Sequence, residues 1–232
     1  MDKPLTLVEH LSELRKRLLI ALAALTAATG ISFSFSADAL RVLKMPAYGL
    51  IGKLAVFSPQ EAFLIYMRIA FLCGFIISLP VILYQAWIFI APALEERFRN
   101  GVVHFVGFCF LAFILGCCFA YFVLIPPALK FLLSFADGEL VPVISAAQYI
   151  GFIVTLIFGC GLVFEMPVLS FILARLRVLK PSFLRSKYKY AVAAIFVAAA
   201  VITPTTDIFN MTLLAIPMIL LYEISIWVAK LA

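Results

Sequence analysis

Charge is scarce in this chain. Asp, Glu, Lys and Arg together make up 13% of 232 residues, while 66% are hydrophobic and the mean hydropathy is +1.16. Soluble domains carry about 25% charged and about 45–50% apolar residues, so a water-soluble globule is excluded. Cysteine is equally telling by where it does not occur. All five (Cys73, Cys109, Cys117, Cys118, Cys160) lie inside apolar runs, none in a polar loop and none in paired C-x-x-C spacing. That excludes a disulfide framework and a cysteine metal site, and leaves small apolar packing residues. Only two histidines occur, His10 and His104, and neither has a Cys, Asp or second His in metal-ligand or catalytic spacing. There is no nucleotide-binding loop, no intramembrane Ser/His or Asp/Asp pair, no internal repeat and no low-complexity stretch. The sequence therefore predicts no enzyme, no cofactor and no metal. The net charge of +6 sits in short caps between apolar runs, where it signals topology rather than nucleic-acid binding.

Long apolar runs are what the chain does have. About 20 residues cross a bilayer, and six runs can be marked at 18–35, 69–91, 102–125, 149–173, 191–202 and 208–228. The expectation is an all-α integral membrane protein, 1–232 forming one polytopic domain. A cleaved signal peptide is the rival reading of the first run, which at 18 residues exceeds the usual 7–15 of a signal core. Basic residues outside the runs divide unevenly. Thirteen fall in the N-terminal segment, 93–101, 174–190 and the C-terminal tip, against five in 36–68 and 126–148. The positive-inside rule then places both termini in the cytoplasm.

Several helix starts are punctuated. Thr6 to Glu9 fits a capping box opening a short helix ahead of the first span, and Ser58-Pro59-Gln60-Glu61 combines an N-cap, a first-position proline and a capping glutamate. Ser145 to Gln148 repeats the pattern, and Asp207 is placed to cap the sixth span. The fifth run is short: twelve residues rise about 18 Å against a core of about 30 Å. It either borrows from 183–190, thins the bilayer, or forms a re-entrant hairpin.

Two groups of residues carry candidate chemistry. Glu165 is the one acidic residue deep in a run, and such a group costs several kcal/mol unless paired, neutral or facing water. Pro167 deprives the Val163 carbonyl of its helical partner, which adds a bend and a second polar group beside the carboxyl. A neutral glutamate tying two helices together is the alternative role. Glu223 reads as an interfacial charge near Lys230. At the amino end, Glu9 and Glu13 share a helical face, and Glu13 can pair with Arg17 four residues on. Cytoplasmic carboxylates suit an arginine-rich partner, since each accepts a two-point bond from a guanidinium.

These motifs together resemble one family. His10-Leu11-Ser12-Glu13-Leu14-Arg15-Lys16-Arg17-Leu18 is similar to the amino-terminal signature of TatC proteins. Ser58-Pro59-x-Glu61-x-Phe63 resembles their first periplasmic segment. Pro80-Val81-Ile82-Leu83-Tyr84-Gln85-x-Trp87-x-Phe89-Ile90-x-Pro92-x-Leu94 resembles their second span and its exit. Phe164-Glu165-x-Pro167 matches the fourth span, and Leu214-Ala215-Ile216-Pro217 with Tyr222-Glu223 matches the sixth.

The resemblance implies a concave, glove-like bundle of six spans with both termini in the cytoplasm of the inner membrane. It implies a receptor for twin-arginine signal peptides of folded cargo, working in an oligomeric complex with TatA- and TatB-type single-span subunits and drawing on the proton-motive force. By motif position it carries peptide binding to Glu13, Leu14, Arg15 and Arg17. In the following loop the family glutamate falls at Phe98, so Glu95, Glu96 and Arg97 are the candidates to replace it. The segment Thr203-Pro204-Thr205-Thr206-Asp207 is one residue longer than the family's, and Met211 stands where some members have glutamine. Thr203, Asp207 and Met211 are the candidate partner contacts. The competing function is a small proton-coupled secondary transporter using Glu165, and a purely structural membrane scaffold is a third reading.

Overall fold

The computed structural model describes residues 7–48, 51, 54–93, 101–135, 143–203 and 207–231. Among these the fold is helical: α1 (Leu7–Phe33), α2 (Ser36–Lys44), α3 (Pro59–Ile90), α4 (Val102–Phe119), α5 (Ile125–Ser134), α6 (Ala146–Phe164), α7 (Met166–Arg175), α8 (Pro181–Ser186), α9 (Tyr188–Ile202) and α10 (Ile208–Lys230). Five continuous helical stretches are long and apolar enough to cross a membrane, and Tyr188–Ile202 is a shorter apolar sixth.

The observed helices outrun the hydropathy runs in physically intelligible ways. The amino-terminal helix and the first span are one continuous helix of 27 residues, because nothing between them breaks the hydrogen-bond ladder. The third span does not end at residue 125. A π-helical turn over Ala120–Leu124 joins α4 to α5, so Pro126 and Pro127 enter as first-turn residues, where a missing amide hydrogen costs little. The fourth span breaks where Pro167 requires. Glu165 N–H turns back to Leu162 O (3.1 Å), and Leu169 N–H picks up Glu165 O (2.9 Å) to start α7. Helix α9 borrows residues from the basic segment back to Tyr188, reaching 15 residues, about 22 Å. Pro80 and Pro217 lie inside α3 and α10, which run through them.

Packing follows the rule for membrane bundles, where close backbone approach replaces the hydrophobic effect. A Cβ on Gly116 of α4 would stand 2.6 Å from the Cys160 carbonyl of α6, and one on Gly161 would meet the Phe113 ring at 2.6 Å. A Cβ on Gly74 would strike the α1 backbone at Thr29. Around these contacts Phe75, Phe113 and Phe158 gather from α3, α4 and α6, with centroids 4.8–6.4 Å apart. Helix α1 lies on the outside of α3, with most of its apolar side chains exposed.

The start of α1 and the end of α10 lie on one side of the bundle, called the terminus side. His10 stacks on Phe89 (4.5 Å), and Trp87 stacks on Phe105 (4.6 Å). Arg175 Nη2 donates to Leu231 O (3.4 Å), and one cavity is lined by Trp87, Phe105, Arg175 and Val228 together. On the opposite side, the Tyr149 hydroxyl donates to Leu43 O (2.9 Å) and the Tyr121 hydroxyl to Val42 O (2.7 Å), fastening α2 to the bundle. The extended residue Ala55 pairs with the strand-like turn at Ser145: Ala55 N–H donates to Ile144 O (2.9 Å) and Ala146 N–H to Ala55 O (2.8 Å).

Glu61 ties that side together. Ser58 stands at the N-cap with Pro59 after it as expected, but its hydroxyl makes no cap to α3, so only the glutamate half of the capping arrangement forms. Glu61 Oε2 accepts from Phe57 N–H (2.6 Å), and Oε1 reaches across to accept from the Ser145 hydroxyl (2.5 Å) and Ala147 N–H (3.2 Å). One carboxylate therefore binds the starts of α3 and α6. Ser145 and Asp207 cap as expected, accepting from Gln148 N–H (3.3 Å) and Asn210 N–H (2.7 Å).

Candidate functional site

The amino-terminal motif is built on the seam between α1 and the end of α3. Arg17 occupies the centre. Its Nη2 donates to Glu13 Oε1 (3.2 Å), and its Nη1 donates to Gln85 Oε1 (3.2 Å) on α3. The Glu13–Arg17 spacing places both on one helical face. Gln85 is buried, and its neighbour one turn on, Phe89, carries the His10 ring. The Glu13 carboxylate is thus oriented by an arginine that is itself oriented by a buried amide. Its side chain is 25% exposed, and Oε2 makes no hydrogen bond among the described residues. Leu14, Arg15 and Lys16 are exposed on the same end of α1. This arrangement can present one fixed carboxylate edge to an incoming guanidinium.

Glu95, Glu96 and Arg97, with Phe98, fall outside the described residues. Gln85 and Phe89 join the site only through the fold. Two signals mark Gln85 in the sequence: it is an amide within an apolar run, and it stands with Phe89 in the second-span motif.

Glu165 forms a second polar point. It caps the break between α6 and α7 and is 8% exposed. The Cys109 thiol of α4 lies beside its carboxyl, and Oε1 is buried with no hydrogen-bond partner among the described residues. Cys109 is seven residues into α4, so this point lies about 10 Å along the helix from the terminus side.

The third set is more enclosed. Thr203 is 3% exposed, and its hydroxyl donates to Ala199 O (2.8 Å). Asp207 accepts from Asn210 N–H and from Asn210 Nδ2 (2.8 Å). The Thr203 hydroxyl thus closes the end of α9 and the Asp207 carboxylate caps α10, whereas Met211 is half-buried one turn into α10. Glu223 has a partner on another helix. It pairs with Arg185 of α8 (2.5 Å), while Lys230 sits over the Trp227 ring (5.3 Å). His104 is exposed and lines the cavity shared by Trp87 and Arg175. No group of three or more His, Cys, Asp or Glu side chains could hold a metal ion among the described residues.

This geometry can be set beside known proteins. The family model for the Sec-independent protein translocase protein TatC matches residues 9–217. The chain belongs to the TatC family. It is 41% identical over 231 residues to the TatC protein of Aquifex aeolicus, covering 97% of this chain and 95% of that one. It is 37% identical over 229 residues to TatC of Carboxydothermus hydrogenoformans, covering 99% and 94%. A crystal structure of the twin arginine translocase receptor TatC superposes with a TM-score of 0.87 at 40% identity, covering 96% of this chain and 99% of that one. As a TatC-family member the chain is a multi-pass membrane subunit of a protein-transport system, with the helical architecture of that receptor.

Proposed function

We propose that this chain is the signal-peptide receptor of a twin-arginine translocase, and that Glu13 is the carboxylate that meets an arginine of the motif. The observation that carries the reading is the Glu13–Arg17–Gln85 chain of hydrogen bonds. It holds an acidic edge open on the terminus side, in a segment otherwise rich in basic residues. Leu14, Arg15 and Arg17 frame that edge, and Glu95, Glu96 and Arg97 supply the loop half of the site. The terminus side faces the cytoplasm, because the thirteen-to-five division of basic residues favours it.

The receptor does no bond chemistry. It recognises charge at the surface, holds the polar point Glu165 within the membrane, and gathers TatA- and TatB-type single-span subunits along its flank near Met211. Transport then draws on the proton-motive force. Site-specific crosslinking tests this directly. A photoreactive residue at Leu14 is expected to capture a twin-arginine signal peptide and not the same peptide with both arginines replaced by alanine. Equal capture of the two peptides would refute the assignment.

A further inference from the structure

On the side opposite the termini, a groove of about 840 Å³ opens between α3, α5 and α6. Its polar lining is Arg68, Gln148 and Thr155, and its apolar lining includes Leu129, Leu132 and Phe152. Arg68 is held in an unusual way. Its Nη1 donates to Ala147 O (3.2 Å), and the guanidinium lies against the bare backbone of Gly151, where a Cβ would stand 2.8 Å from Nη1. A guanidinium has five N–H donors, and among the described residues this is the one hydrogen bond it makes. No carboxylate pairs with it among the described residues.

Depth identifies what the remaining donors meet. Helix α3 has 32 residues, about 48 Å, and overshoots a hydrocarbon core of about 30 Å. Counting about twenty residues back from Ile90 puts the far edge of the core near Phe71. Arg68 is three residues beyond, about 4.5 Å outside it, at the level of lipid headgroups. A cation at that height, over a groove with apolar walls descending into the membrane, has the chemistry of a phospholipid site. We propose that this groove binds one anionic phospholipid of the leaflet opposite the termini, its phosphate on Arg68 and the upper part of an acyl chain against Phe152 and Val154, which lie deeper along α6 than Gly151. The fork of Arg68 suits two phosphate oxygens at once. Gln148, one turn before Gly151 on α6, lines the groove at the height of the polar head.

The test is lipid retention by native mass spectrometry on the full chain, stripped of lipid in detergent and titrated with phosphatidylglycerol. The wild-type chain is expected to retain its first lipid at least tenfold more tightly than Arg68→Met, which keeps the stem and loses the charge. Arg68→Lys should fall between them, since an ammonium lacks the fork. Gly151→Ala, which crowds only the guanidinium, should weaken retention with Arg68 still present. Phosphatidylcholine should be retained less well than phosphatidylglycerol, and millimolar inorganic phosphate should not displace the lipid. Equal retention by Arg68→Met with an unchanged melting temperature would overturn the site. Displacement by inorganic phosphate would also overturn it, marking a free-anion site instead.

Discussion

Replacing Glu13 tests the receptor reading most directly, and the structure sets the scale of the effect. A guanidinium seated on Glu13 would take one or two charge-assisted hydrogen bonds, each contributing about 1.5–3 kcal/mol when well formed. The Glu13 side chain is 25% exposed, so solvent screening pulls the total toward the low end, about 1.5–3 kcal/mol altogether. Since about 1.4 kcal/mol is tenfold in affinity, Glu13→Ala should weaken peptide binding about tenfold to a hundredfold. Glu13→Gln keeps the shape and one acceptor and should lose less. Gln85→Leu should also weaken binding, by a smaller factor, because Arg17 Nη1 loses its anchor and the carboxylate loses its fixed direction. The assay is fluorescence anisotropy of a labelled twin-arginine peptide titrated with detergent-solubilised protein, with a twin-lysine peptide as reference. Lysine cannot make the two-point bond, so the wild type should discriminate against it and Glu13→Ala should not. Unchanged affinity in a Glu13→Ala protein of normal melting temperature would refute the reasoning, as would equal wild-type affinity for both peptides.

The other predictions concern depth, topology and packing. If the buried Glu165 carboxyl acts as a hydrogen-bonding group, Glu165→Gln should export a twin-arginine cargo in cells and Glu165→Ala should not; an inactive Gln variant at normal abundance would show that charge or a proton is needed. A single cysteine at Tyr48, 92% exposed on the side opposite the termini, should label from outside the cell, whereas one at Ser182 should not; external labelling at Ser182 would invert the topology. Gly116→Ala should destabilise the protein by about 1–3 kcal/mol, because its Cβ meets the Cys160 carbonyl, and the melting temperature in detergent should fall. Gly107→Ala, with nothing within 4 Å of the added carbon, should be neutral or stabilising; equal losses at both positions would sink the close-approach account.

The sequence alone determined that this chain lives in a bilayer, how many times apolar runs recur, and which ends carry the charge. Composition and run length depend on residue type and spacing, and both are one-dimensional. The break at Glu165 was legible for the same reason, since Pro167 removes a specific backbone bond wherever the chain folds. Caps at Ser145 and Asp207 were legible too, because an N-cap acts over three residues.

What the sequence could not supply were partners far apart in the chain. Glu61 reads as a local cap, yet its oxygens reach Ser145 and Ala147, more than eighty positions away. Arg17 reads as half of an i,i+4 pair, yet Gln85 of α3 decides where it points. Glu223 reads as an interfacial charge near Lys230, and its ion-pair partner is Arg185 on a neighbouring helix. Arg68 reads in the sequence only as one positive charge, and the bare backbone of Gly151 gives it its place above the groove. In each case the hydrogen-bonding capacity belongs to the residue, but the choice of partner depends on which helices approach closely enough. That choice is made by glycines and rings at crossings such as Gly116–Cys160 and Gly74–Thr29, where small side chains admit a neighbouring backbone and larger ones would hold it off.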